Sequence, residues 1–347
     1  MAEPIRILVV DDSSFMRGAL VRMIERDPRC KVIDTAANGR EGVEKAKALR
    51  PDVITMDVEM PEMNGIDALR EIMATVKTPV LMVSTLTEAG AKTTIEALEL
   101  GAVDFIPKAF GDKERSIFRG GETLHEKLLA AAGVSSVGAA APAPKPITPI
   151  TPARGPKPTR VAAKAVVIGS STGGPKALQV VLRALPKNLP VPVLVAQHMP
   201  AQFTLALANR LNETCAIEVA EAKAGDMPVP GKAYIAQGGM NMRLMPDGIH
   251  IDEDKGESVY HPSVDVLADS VRAVHGNQVL AVMLTGMGND GTRAYVELKR
   301  AGAYVLAQDA ATSVVYGMPK AVYEAGAVDE VLSLDEIGAR VAGLVTA

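Results

Sequence analysis

The chain has 347 residues, 48% apolar and 22% charged, with a formal net charge of -4. That length suffices for two domains with separate cores, and the mildly acidic balance argues against a general nucleic-acid binder, which carries a basic excess. Cys30 and Cys215 stand far apart without CxxC spacing, so neither a disulfide framework nor a zinc site is legible; aromatic residues at 3%, with no Trp, offer no base-stacking platform.

The opening MAEPIRILVVDDSS is unlike a signal peptide, because its apolar run is short and ends in two acids. No window approaches the ~18 uninterrupted apolar residues of a spanning helix, so a cytoplasmic protein is expected. Apolar runs (IRILVV, CKVIDTA, DVITMDV, PVLMVS, VDFIPK) alternate with amphipathic ones (SSFMRGALVRMIER, GREGVEKAKAL, GIDALREIMAT, AKTTIEALELG). This βαβα order predicts a doubly wound parallel sheet with its site at the carboxyl ends of the strands. Asp11 and Asp12 close the first strand, Asp57 the third, Ser84 the fourth and Lys108 the fifth. Three carboxylates at one edge repel one another unless a cation sits among them, and hard oxygen donors suit Mg²⁺. A lysine and a hydroxyl beside them can hold phosphoryl oxygens. Helix capping by Asp12-Ser13-Ser14 would explain one acid, but not the gathering of all five polar groups.

VVDDSSFMR, MDVEMPEMNG, VSTLTEAG and the late Lys108 resemble the receiver domain of two-component response regulators. The resemblance implies a flavodoxin-like (βα)5 fold with Asp57 as phospho-acceptor. It implies Mg²⁺ among Asp11, Asp12, Asp57 and the backbone carbonyl of Glu59. Ser84 and Lys108 would sense the phosphoryl group, and Phe105 would turn inward on activation. Receivers usually follow this lysine with a proline in a cis bond; Ala109 stands here, where a cis bond is costly, so the local loop is expected to differ.

GETLHEKLLAAAG reads as the last receiver helix, ending at Gly133. The Pro- and Ala-rich stretch after it cannot bury enough to fold and reads as an extended spacer. Its basic residues Lys145, Arg154, Lys157 and Arg160 are diluted by proline, which favours a solvated linker over a nucleic-acid tail. The expected organisation is a receiver over 1–130, a linker over 131–163 and a second domain over 164–347.

From Lys164 the alternation resumes, with strand-like AVVIGS, VPVLVAQH, KAYIAQG, HIDE, QVLAVMLTG and YVLAQD. Helix-like runs are GPKALQVVLRAL, QFTLALANRLN, PSVDVLADSVRAV, DGTRAYVELKRAG and PKAVYEAG. A second doubly wound α/β domain is expected, with a small antiparallel hairpin around the Asp247-Gly248 turn. Gly169-Ser170-Ser171-Thr172-Gly173 joins a strand to a helix as a G-x-S-x-G turn, which lifts a serine oxygen above the sheet edge. Ser171, His198 and Asp290 each follow a strand, so in a parallel sheet they converge. Histidine can take the serine proton, and a carboxylate can fix its tautomer. A rival reading is a dinucleotide fold on Gly286-Met287-Gly288-Asn289-Asp290-Gly291, with Asp309 as the ribose acid. An anion in that turn and its late position weigh against it.

GSSTGGP, VAQHMP, HPSVDVL, LTGMGNDG and VVYGMPKAV resemble the catalytic domain of the chemotaxis protein-glutamate methylesterases, the CheB family. Receiver, linker and esterase in that order is the family's architecture. The resemblance implies Ser171 as nucleophile, His198 as base then acid, and Asp290 as orienting carboxylate. The Thr172 and Met287 amides would form the oxyanion hole. Ser171 is preferred to Ser170 because it precedes TGG, and His250, His261 and His275 have no matching role. The substrates would be glutamate γ-methyl esters of methyl-accepting chemoreceptors, releasing methanol, together with particular receptor glutamines. The phosphodonor would be the chemotaxis histidine kinase, and no cofactor would be needed for ester hydrolysis. The unphosphorylated receiver would hinder access to the site. A monomer that meets membranes only through receptors is expected, with no nucleic-acid partner. The alternative from another class is a phospho-regulated docking module without turnover.

Overall fold

Strands of Val, Ile and Leu that are buried on both faces need helices on both sides of their sheet, and the computed structural model supplies them. It describes residues 3–108, 124–133, 158–253 and 258–345, which divide between one unit over Met1–Ala139 and another over Ala140–Ala347. The linker proper and the loop around Ala109 lie outside the described residues.

The first unit runs β1 (Ile5–Val10), α1 (Ser14–Ile24), β2 (Cys30–Ala36), α2 (Gly39–Leu49), β3 (Val53–Asp57), α3 (Gly65–Thr75), β4 (Val80–Ser84), α4 (Glu88–Leu100), β5 (Asp104–Pro107) and α5 (Leu124–Ala131). Its sheet is parallel, in the order β2-β1-β3-β4-β5. Ser13, Asn38, Asn64 and Thr87 cap α1 to α4, each side chain accepting a hydrogen bond from an N–H of the first turn. Such a cap contributes about 1 kcal/mol. The Thr87 cap explains why α4 begins at Glu88, before the expected AKTTIEALELG. Leu124, Leu128 and Leu129 of α5 pack with Ile7, Val9, Leu81, Val83 and Ile106.

The second unit continues with β6 (Ala165–Ser170), α6 (Gly174–Arg183), β7 (Val193–Gln197), α7 (Ala201–Thr214), β8 (Glu218–Glu221), β9 (Lys232–Ile235), β10 (Asn241–Met245) and β11 (Gly248–Asp252). It ends with α8 (Val264–His275), β12 (Val279–Met283), α9 (Thr292–Ala301), β13 (Tyr304–Gln308), α10 (Met318–Glu324), β14 (Glu330–Leu332) and α11 (Leu334–Val345). Seven parallel strands lie in the order β14-β13-β12-β6-β7-β9-β8. On one face Leu267, Val271, Tyr295, Leu298, Met318 and Val322 pack onto Val167, Ala281, Met283 and Val305. On the other, α6 lies between α7 and α11. The expected hairpin is β10-β11, beside α8. Met245 pairs with Gly248, so the two-residue loop is Pro246-Asp247 and Gly248, at φ 124°, opens β11. The turn is thus shifted by one residue from the Asp-Gly pair. Strands β8 and β14 and helix α11 were not expected. Before β6, the Pro158 carbonyl accepts from Arg340 Nη2 at 2.9 Å and the Val161 N–H donates to the Leu344 carbonyl at 3.0 Å, so this stretch is tied to α11.

Leu128 is fully buried although its helix lies beyond the residues from 109 to 123. Leu128→Ala is expected to destabilise the first unit by about 2–5 kcal/mol in denaturant titrations of the whole chain, through lost burial and an unfilled cavity.

Candidate active site

In the second sheet the chain proceeds from β6 to β7 on one side and later to β12 on the other, which makes the gap between β6 and β12 its topological switch point. Ser171 follows β6, His198 follows β7 and Asp290 lies between β12 and α9. Two of these loops enter their helices through a left-handed glycine, Gly173 at φ 77° before α6 and Gly291 at φ 88° before α9. A side chain is disfavoured in that conformation.

Asp290 is 5% exposed, and its carboxylate is surrounded by donors. Oδ2 accepts from His198 Nε2 at 2.8 Å and from the Val264 N–H at 2.6 Å. Oδ1 accepts from Ser263 Oγ at 3.0 Å and the Asp265 N–H at 3.2 Å. Three of these donors belong to the start of α8, where the helix dipole also favours an anion. Burial alone would raise the Asp290 pKa, but the His198 bond and the helix amides hold it below the usual carboxylate value. The other ring nitrogen of His198, Nδ1, is buried without a hydrogen-bond partner among the described residues. With Nε2–H donated to Asp290, Nδ1 carries the lone pair. The two nitrogens have exchanged places relative to the serine-protease arrangement, where Nδ1 faces the acid.

The adjacent hydroxyls are now distinguishable. Ser170 Oγ, at the end of β6, donates to Gln197 Oε1 at 2.6 Å and is fully buried. Gln197 Nε2 reaches the carbonyls of Ser171 at 2.9 Å and His198 at 3.0 Å, so one side chain fastens both loops. Ser171 lies past the strand, with its N–H bonded to the Thr285 carbonyl at 3.1 Å. Thr285 Oγ1 donates to the Thr172 carbonyl at 3.0 Å and accepts from the Val315 N–H at 3.0 Å, which ties the serine turn to the Gly286–Gly291 loop. The Met287 N–H has no acceptor among the described residues. The glycine-rich loop itself is filled by Asp290, and Asp309 Oδ1 accepts from the amide and hydroxyl of Thr312, so neither offers the dinucleotide site. His250 is exposed against Asp247, away from these residues.

In the first unit the oxygens of Asp11, Asp12 and Asp57 lie within 4.8 Å of one another. Lys108 Nζ is 2.6 Å from Asp57 Oδ2 and 3.0 Å from Asp11 Oδ2. Asp11 Oδ2 is buried, with the Lys108 ammonium as its counter-charge. Burial pushes the Asp57 carboxyl up, against the lowering effect of Lys108. Three carboxylates gathered around a single lysine, an all-oxygen set of hard donors, fit Mg²⁺. The Glu59 N–H lies 3.4 Å from Asp57 Oδ1, which puts this residue beside the cluster. Ser84 Oγ donates to the Gly90 carbonyl at 3.3 Å and accepts from Thr94 Oγ1 at 2.7 Å, so it is engaged with α4. Phe105 is buried at 3% exposure.

Residues 166–341 match the sequence family described as CheB methylesterase, and residues 7–116 the family described as response regulator receiver domain. A protein of Alkalilimnicola ehrlichii named protein-glutamate methylesterase/protein-glutamine glutaminase is 44% identical over 98% of this chain and 99% of its own. One of the same name from Vibrio parahaemolyticus is 46% identical over 97% of each. The crystal structure of the Thermotoga maritima CheB methylesterase catalytic domain superposes with a TM-score of 0.50 and 40% identity, covering 52% of this chain and 98% of that one. The chain belongs to the CheB methylesterase family. The activity class and the receiver read from the sequence are those its relatives carry.

Several residues of this CheB-family site escaped sequence reasoning. Gln197, Ser263 and Thr285 lie inside the segments VAQHMP, HPSVDVL and LTGMGNDG, but no role was read for any of them, although Ser263 before VDVL does signal a helix cap. Arg17 likewise went unnoticed; its Nη1 donates to the carbonyls of Asp11 at 2.7 Å and Asp12 at 3.0 Å and steadies the acidic pair. Asp265 also belongs here. Its Oδ1 accepts from the Ala294 N–H at 2.8 Å, and burial together with the Asp290 charge pushes its carboxyl up to about 6.

Between pH ~4 and ~6 the folded chain therefore holds a proton on Asp265 that the unfolded chain has lost, and stability falls as pH rises through that window. Asp265→Asn should gain on the parent across the same window, by up to roughly 3 kcal/mol, when unfolding is followed at a series of pH values. A difference that does not change with pH would rule out this coupling.

Proposed function

We propose that Ser171, His198 and Asp290 hydrolyse glutamate γ-methyl esters of chemoreceptors and the side-chain amides of particular receptor glutamines. The observation that carries this reading is the buried His198–Asp290 bond beside the serine turn, with Nδ1 left unpaired. Ser171 Oγ attacks the ester carbonyl while Nδ1 takes its proton. The Thr172 and Met287 amides face the oxyanion. The imidazolium, stabilised by Asp290, returns that proton to the departing methoxide, and methanol leaves an acyl-serine. Water then attacks by the same route, giving glutamate and free Ser171. With a glutamine side chain the leaving group is ammonia. Hydrolysis on this route calls on no cofactor.

Control comes from the receiver. Asp57 takes a phosphoryl group from the chemotaxis histidine kinase, and ester hydrolysis rises. Mg²⁺ among Asp11, Asp12, Asp57 and the Glu59 carbonyl would neutralise the charge of the transferring group. Lys108 and Ser84 take the phosphoryl oxygens, which requires Ser84 to leave Gly90 and Thr94; Phe105 is already buried, so the inward turn that the resemblance implied on activation is not a separate step in this reading. No helix among the described residues is long and apolar enough to cross a membrane. In this reading the protein is a cytoplasmic monomer that reaches membranes through its receptors.

Methanol release from methylated receptor membranes tests the reading, using the whole chain with Mg²⁺ and a small phosphodonor. Ser171→Ala should abolish release, and Asp290→Asn should keep the fold but lose most turnover, by a factor near 10⁴. Ser170→Ala should retain release, because its hydroxyl serves Gln197. Absence of release from the parent would favour a docking module instead.

Chelation of Mg²⁺, or Asp57→Asn, should remove the rise caused by the phosphodonor and leave basal release intact. Stimulation that survives both would take the switch away from Asp57.

A further inference from the structure

His198 is held at the edge of its ring by a single hydrogen bond, from Nε2 to Asp290. One such bond leaves the ring plane loosely set, because turning about the Cβ–Cγ bond moves Nε2 little while it swings Nδ1 away from any acceptor. Something else must set the plane. Tyr260 lies against the imidazole with ring centroids 4.4 Å apart and planes inclined by 6°.

We propose that Tyr260 is a positioning residue of the hydrolysis, fixing the plane of His198 by face-to-face stacking and offering its ring face to the imidazolium. Three further observations support this. The His198 side chain is only 6% exposed while Tyr260 is half-buried, so the phenol covers the histidine on its outer side. The same ring reaches the loop that carries Met287 and Asp290: its hydroxyl would lie 2.8 Å from a Cβ placed on Gly288. One aromatic group thereby touches both the histidine and the loop proposed to hold the oxyanion. Finally, Tyr260 belongs to the segment that supplies the donors of Asp290, Ser263 to Asp265, and its own N–H is fixed by Ser258 Oγ at 3.0 Å. Acid and stack are therefore set by one stretch of chain.

The chemistry gives the stack a role beyond filling space. When Ser171 loses its proton, positive charge appears on the imidazole, and an aromatic face attracts a cation. That interaction grows only as the proton arrives, so it acts on turnover and not on substrate affinity.

This inference rests on His198 being the general base for Ser171, and two readouts keep the ideas apart. One is methanol release from methylated receptors; the other is the rate at which a fluorophosphonate probe labels Ser171, which needs the base but no receptor. Tyr260→Leu keeps an apolar side chain over the ring and removes the aromatic face. It should lower kcat and the labelling rate about tenfold, with KM and the melting temperature little changed. Tyr260→Phe should restore both rates. Tyr260→Met replaces the leucine variant if that one melts below the assay temperature. Parental kcat and labelling in Tyr260→Leu, or a phenylalanine variant as slow as the leucine one, would overturn the proposal. A parent that is labelled at Ser171 yet releases no methanol would overturn the substrate assignment, while the labelling ratios would still decide the stack.

Discussion

One buried anion governs the geometry of the second unit. The Asp290 carboxylate accepts four hydrogen bonds, three of them from the first residues of α8 and its cap, and the fourth orients His198. An unpaired carboxylate at that depth would cost several kcal/mol or take up a proton. The loop after β12, the start of α8 and the end of β7 therefore have to meet at one point for the charge to be tolerated. The acids of the first unit are arranged in the opposite manner. Asp11, Asp12 and Asp57 have only one lysine among them, Lys108, which pairs with Asp11 and Asp57. The first anion is fully provided for within the protein and works as a fixture; the other cluster retains capacity for an incoming cation or phosphoryl group.

Both sheets were legible because a parallel strand buried on two faces writes itself as an unbroken apolar run. IRILVV, AVVIGS and VLAVM need no other context. Where burial is one-sided or brief, that signal fades. Strand β8, EVAE, pairs only with β9 at the sheet edge, and β14 has three residues. The hairpin was legible but its register was not, since Pro246 and Asp247 take the loop and pass the left-handed position on to Gly248.

For the site, sequence order reveals the residue that ends each strand and little about its neighbours across the sheet edge. Ser171, His198 and Asp290 could be placed at one edge because each comes after a strand. Ser263 and Asp290 are 27 residues apart, and nothing local ties the cap of one helix to the acid of another loop. Tyr260 is a similar case. Its place against His198 depends on how the segment between β11 and α8 folds back over the sheet edge. The exchange of ring nitrogens is likewise invisible in the sequence, which names a histidine but not the side from which the acid approaches.

Gln197 poses a chemical hazard that the fold has settled. An enzyme of this family hydrolyses the side-chain amides of glutamine, and here a glutamine of its own lies with Oε1 2.6 Å from a serine hydroxyl. That hydroxyl belongs to Ser170, which accompanies no general base, and both lone-pair and amide sides of Gln197 are engaged with the backbone and with Ser170. Conversion to glutamate would turn the donor that faces the Ser171 and His198 carbonyls into an acceptor and drive the two loops apart. The hydrogen bonds by which Gln197 joins the Ser171 loop to the His198 loop therefore also hold its amide against a hydroxyl that has no base beside it.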